Sequence, residues 1–127
     1  MSGNRYLLDT NAIIALLRRN QQILQHLQNS EWIGISIISQ LEFLSFSGLT
    51  EDDRQLFNQF RQRIEVIGLD PDQVDLIELT AQLRQKYRFP LPDVIIAATA
   101  IRANANLVTA DQQLQTIQEL TIVDFVP

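Results

Sequence analysis

The sequence predicts an α/β fold: a mostly parallel sheet with helices on both faces. Three observations carry this. Short apolar, β-branched runs alternate with helical stretches from one end of the chain to the other. The first run, Leu7-Leu8, ends at a carboxylate and passes at once into a helical stretch, as a buried parallel strand does. The segments between runs hold helices, and parallel pairing needs such crossovers. The 127 residues fit one domain, 1–127, with room for a core.

Taken in order, residues 5–8 read as a strand and Asn11 to Leu17 as a helix, apolar almost all round. Arg18-Arg19-Asn20 is the stop, and a second helix is expected over 21–29. His26, the only histidine, lies on it without a ligand-type partner at i+3 or i+4. Trp32 to Ile37 is β-branched and apolar, the second strand. Ser39-Gln40-Leu41-Glu42 opens a helix that offers Leu41, Phe43, Leu44 and Phe46 to the core and stops at Gly48. Thr50 starts the next helix, with Glu51, Asp52 and Asp53 in a dipole-favoured first turn and Leu56, Phe57, Phe60 and Ile64 at helical spacing.

Glu65 to Leu69 reads as the third strand, and Asp70-Pro71 as the start of a helix running to about Tyr87. Val74, Ile77, Leu79 (or Thr80), Ala81 and Leu83 are its candidates for burial. Arg88 to Pro92 is a stiff approach to a helix over Asp93 to Ala103, with Asn106 expected as a left-handed cap. Leu107 to Thr109 is a strand, Asp111 to Gln118 a helix and Leu120 to Phe125 the last strand.

Composition narrows the function. There is no cysteine, so disulfides, zinc–thiolate sites and cysteine nucleophiles are out. No apolar run approaches the roughly 20 residues that span a bilayer. Arg5 before an apolar stretch has the look of a signal peptide, but Asp9 and Asn11 break that stretch. The expectation is a cytoplasmic protein with no membrane partner. The net charge of −5 argues against non-specific nucleic-acid binding. Two facts offset it: nine of the ten basic residues are Arg, in clusters suited to phosphate, and four acids could belong to one metal pocket.

Those acids are Asp9, Glu42, Asp93 and Asp111. Each has a local structural account. Asp9 and Asp111 can cap the helices they precede. Ser39 and Glu42 have capping-box spacing. Asp93 is a first-turn acid favoured by the helix dipole. For Asp93 that account is weakest, because Ile96, Ala97, Ala100 and Asn104 share its face, mostly an apolar stripe. Jointly the pattern says more. Three of the acids follow strands closely and the fourth opens a core-facing helix, and a parallel sheet brings such ends to one edge. Four acids in one cleft repel unless a cation joins them. Oxygen donors without His or Cys select Mg²⁺ or Mn²⁺, the ions phosphodiester hydrolysis uses.

Four stretches then resemble a known family. Leu7-Leu8-Asp9-Thr10-Asn11, Ser36 to Glu42, Leu91 to Ala100 and Leu107-Val108-Thr109-Ala110-Asp111 are similar, in order and spacing, to the motifs of PIN-domain ribonucleases, VapC-type toxins in particular. The resemblance implies a three-layer α/β/α sandwich around a five-stranded parallel sheet and an Mg²⁺- or Mn²⁺-dependent endoribonuclease. Asp9, Glu42, Asp93 and Asp111 would be its catalytic and metal-binding quartet, supported by Asn11 and Thr109. Asp9 and Asp93 would touch the metal directly, with Glu42 and Asp111 holding waters around it. A cognate antitoxin and a homodimer are the implied partners, with RNA as substrate. Departures are Asn106 where the family often has Gly, Leu114 in place of an aromatic, and Gln112, Gln113 and Gln115 where some members carry a further acid.

Two other acidic-pocket α/β classes fit worse. A receiver domain needs a Lys at a late strand end, and the only Lys is Lys86. An aspartyl phosphatase needs an acid where Asn11 stands. The alternative from another class is a catalytically silent PIN-like module that binds RNA or protein.

Overall fold

A computed structural model describes residues 3–127. Five strands form one parallel sheet: β1 (Arg5–Leu8), β2 (Trp32–Ser36), β3 (Glu65–Ile67), β4 (Asn106–Val108) and β5 (Ile122–Val123). Their order is β3-β2-β1-β4-β5, so β1 is central. Leu7 lies level with Gly34 on one side and Leu107 on the other. Six helices fill the crossovers: α1 (Thr10–Leu17), α2 (Gln21–Leu27), α3 (Ile37–Leu44), α4 (Glu51–Arg61), α5 (Val74–Tyr87) and α6 (Leu91–Arg102).

The period of two in the strands splits the core. Leu7 and Leu107 face one side, where α5 and α6 supply Leu76, Leu83, Ile96 and Ala97. Tyr6, Leu8, Ile35 and Val108 face the other, against Ala12, Ile13, Ile23, Phe43 and Phe57 from α1 to α4. Phe43 and Phe57 stack at 4.7 Å between centroids, tying α3 to α4. This is the three-layer sandwich. Among the described residues no helix is long and apolar enough to cross a membrane.

Several boundaries differ from the sequence reading, each for a local reason. Ser36 caps α3 through the Ile38 N–H, so the helix starts at Ile37 with no loop after β2. It ends at Leu44, where the Ser45 hydroxyl returns to the Leu41 carbonyl; Gly48, at φ +83°, shapes the following loop. Thr50 and Asp53 form a full capping box on α4. Asp70-Pro71 makes a β-turn closed by Gln73 N–H on the Asp70 carbonyl, delaying α5 to Val74. Helix α6 starts at Leu91, because Pro92 sits in the first turn, where no N–H is needed.

The left-handed residue is Asn104 (φ 53°), not Asn106. Asn106 lies inside β4, and its amide donates to the Gly3 and Arg5 carbonyls. The expected helix over 111–118 is only a 3-10 turn, Leu114–Thr116, since the Asp111 carboxylate binds the Gln113 N–H in a competing turn. Phe46 is exposed in the loop after α3, and Leu41, Leu56, Val74 and Ile77 are exposed rather than core because only one stripe of each amphipathic helix faces the sheet. Ala81 is exposed for the same reason.

Candidate active site

The carboxyl edge of the sheet collects the acids. The chain leaves β1 into Asp9, which caps α1 and is buried. Its N–H donates to the Val108 carbonyl at 3.0 Å, locking the end of β1 to β4. Its carboxylate is well supplied with donors. Oδ1 accepts from the Thr10 N–H at 2.8 Å. Oδ2 accepts from the Thr109 hydroxyl at 2.7 Å and from Asn11 Nδ2 at 3.2 Å. Burial nevertheless pushes its pKa up; the Thr109 and Thr10 bonds oppose this, and the Glu42 and Asp111 charges add to it.

Thr109, fully buried just past β4, is the hinge of a small network. Its hydroxyl donates to Asp9 and accepts from the Asp111 N–H at 3.0 Å. Asn11 closes the loop, since its Oδ1 accepts from the Ala110 N–H at 3.1 Å. Strand ends 100 residues apart in sequence are thereby joined around one carboxylate.

Glu42 comes from the last turn of α3, which packs against α1. The expected capping box with Ser39 does not form, because Ser36 takes the cap position. Ser39 is instead buried in the first turn, its hydroxyl without a partner among the described residues. Glu42 Oε1 accepts from the Thr10 hydroxyl at 2.6 Å.

Asp93 stands in the first turn of α6, half-buried above Ile96, Ala97 and Ala100, all fully buried. No hydrogen bond to its carboxylate is formed among the described residues. Its pKa is pushed up to about 6, first by burial and then by the charges of Asp9, Asp111 and Glu42. The charges of Asp9, Glu42 and Asp111 thus reach Asp93, and those of Glu42 and Asp111 reach Asp9.

The PIN domain family model matches residues 6–120. The chain belongs to the PIN-domain family. Among solved structures it is similar to VapBC2 from Rickettsia felis bound to a DNA fragment from its promoter (26% identity, TM-score 0.75, 95% of this chain and 98% of that one). It is also similar to a toxin–antitoxin complex from Klebsiella pneumoniae (27% identity, TM-score 0.74, 91% and 95%). A DNA-bound VapBC from Salmonella typhimurium shares the fold (23% identity, TM-score 0.80, 94% and 97%). No curated protein sequence matches.

This PIN domain's donor set suits a hard cation in its chemistry: four carboxylates and two neutral oxygen side chains, with the single histidine exposed elsewhere. Among the described residues no group of three such side chains is arranged to hold one ion. The residue that sequence reasoning missed is Thr10. It lies inside the first motif, between Asp9 and Asn11, and only the packing of α1 on α3 brings its hydroxyl to Glu42. A cavity of about 310 Å³ touches the site through Asn11 and extends along α1 to Arg18. A cavity of about 380 Å³ lined by Glu65, Asp75 and Arg102 includes none of the four acids.

Proposed function

We propose that this PIN domain is an Mg²⁺- or Mn²⁺-dependent endoribonuclease, the toxin of a toxin–antitoxin pair, working in the cytoplasm. The observation that carries the reading is Asp93: a half-buried carboxylate without a hydrogen-bond donor among the described residues, within reach of the charges of three other acids. The helix dipole favours an acid in this first turn, but burial beside three other acids opposes its charge, and a bound divalent cation would offset that. A cation held there would lower the pKa of a water and offset charge on the phosphate and the leaving oxygen.

The chain's own residues set the rest. Asp9 and Asp93 would be the direct ligands of the cation. Asp9 is oriented beforehand by Thr10, Thr109 and Asn11. Glu42 and Asp111 flank them and orient the attacking water by accepting its hydrogen bonds. Water adds in line at phosphorus, the bond to the 3′ oxygen breaks, and the products are a 5′-phosphate and a 3′-hydroxyl.

The test is cleavage of labelled RNA with Mg²⁺, Mn²⁺ or EDTA. Wild type should cleave only with metal, and Asp9→Asn and Asp93→Asn should each lose activity by roughly 100-fold or more. Equal activity in wild type and Asp93→Asn would sink the site. A silent binding module is the second reading, favoured by the absence of a ready three-ligand cluster among the described residues. It gains if wild type binds RNA but leaves every RNA intact. The toxin role is supported by the VapBC and toxin–antitoxin neighbours, and the homodimer by the resemblance to the family alone. Coexpression with the product of an adjacent small gene tests both: a stable complex holding two copies of this chain, with growth rescued, is the expected outcome.

A further inference from the structure

Thr10 has two hydrogen-bond donors, and both end on acids of the site. Its main-chain N–H, in the first turn of α1, has no acceptor within the helix and binds Asp9 Oδ1 at 2.8 Å. Its hydroxyl crosses to another helix and binds Glu42 Oε1 at 2.6 Å, 32 residues on. That length lies in the range of a hydroxyl donating to a charged carboxylate. We propose that Thr10 is the positioning residue of the site, fixing the Glu42 carboxylate beside Asp9 with Oε2 left free.

The reasons lie in what Glu42 would otherwise do. It has a long, rotamer-rich side chain and sits half-buried at the end of a helix. Its charge repels that of Asp9, and this repulsion contributes to raising the Asp9 pKa. Electrostatics alone would turn Glu42 toward solvent. Among the described residues the Thr10 hydroxyl is the donor that holds it inward. Thr10 itself cannot wander: it is β-branched, and its backbone is set by the Asp9 cap. A serine could make the same bond with less rigidity, whereas a valine keeps the shape and loses the donor.

The inference rests on the reading of the site as a cation-dependent nuclease, and its test separates the two. Wild type, Thr10→Val, Thr10→Ser and Thr10→Ala are compared by calorimetric titration with Mn²⁺ alone and by kcat and KM on RNA. Thr10→Ala is a second variant without the donor, should the valine perturb folding. Expected are Mn²⁺ binding about fivefold weaker and kcat at least tenfold lower in Thr10→Val and Thr10→Ala, with KM for RNA within twofold. Thr10→Ser should return both to within about threefold of wild type. Wild-type values in Thr10→Val or Thr10→Ala overturn the assignment. So does a Thr10→Ser as impaired as Thr10→Val, because the methyl group and not the hydroxyl would then be what matters. If wild type binds Mn²⁺ but cleaves no RNA, the nuclease reading fails alone and the Mn²⁺ titrations decide on Thr10. If wild type binds no Mn²⁺, both fall.

Discussion

Asp9 and Asp93 each open a helix at the same edge of the sheet, yet the protein treats them oppositely. Asp9 is buried and met by three donors, two of them side chains, Asn11 in the first turn of α1 and Thr109 just past β4. Asp93 is half-buried and met by none among the described residues, and its carboxyl is raised to about 6. The first is a carboxylate whose geometry is complete in the folded chain. The second carries an uncompensated charge. The contrast teaches where pre-organisation ends: the fold orients one acid rigidly and leaves its neighbour without a donor among the described residues.

The largest effect on stability should come from stripping Asp9 of a donor. Thr109→Val keeps the shape of a fully buried side chain but removes a hydroxyl that serves both Asp9 and the Asp111 N–H. Hydrogen bonds to charged groups are worth about 1.5–3 kcal/mol, and the buried partner is left unpaired. Urea unfolding at pH 7 should show a loss in that range. A loss under about 0.5 kcal/mol would mean that Asp9 is solvated in practice and that the contrast with Asp93 is false.

The same manipulation at Asp93 should have the opposite sign. A carboxyl raised from 3.8 to about 6 binds its proton more tightly folded than unfolded. Between those pH values the folded state holds more protons, so stability falls as pH rises through the window. It is highest below pH 4 and carries the full penalty above pH 6. Asp9 shifts in the same direction and adds to the slope. Asp93→Asn should therefore stabilise the metal-free protein at pH 7, by about 1 kcal/mol once solvent screening of a half-exposed group is discounted. The gain should vanish by pH 4. Adding Mn²⁺ should reverse the order, raising Tm in wild type more than in the variant. A Tm for Asp93→Asn that stays below wild type in EDTA at pH 7 would show that the charge is compensated after all.

The sequence carried the fold well, because alternating strands and crossover helices leave few topologies and β1 and β4 read plainly as buried. The spacing of the acids from strand ends also agrees with where the fold puts them: Asp9 follows β1, Asp111 follows β4 and Asp93 opens α6. The sequence was poor where two local signals compete. Asp111 is placed by the sequence at the start of a helix, but its side chain closes a turn and the helix never extends. Asn106 was read as a left-handed cap, but Asn104 serves and Asn106 clamps the amino-terminal segment. Thr10 was invisible for a different reason: its partner is on another helix, and a single sequence holds no distance between α1 and α3.

The smallest effect belongs to the two serines that compete for the start of α3, and it shows how Glu42 reaches the site. Capping-box spacing pairs Ser39 with Glu42 and would keep that acid at home on its own helix. The fold instead gives the cap to Ser36, whose extended backbone ends β2 and whose hydroxyl accepts from the Ile38 N–H at 3.0 Å. Glu42 is thereby released to meet Thr10 on α1. Ser36→Ala should cost about 1 kcal/mol, an ordinary cap loss. Ser39→Ala removes a buried hydroxyl with no partner among the described residues, so it should leave stability unchanged or raise it by a few tenths of a kcal/mol. Paired urea titrations read the difference. A reversed order, with Ser39→Ala the costlier change, would return Glu42 to a capping role and dissolve its link to Asp9.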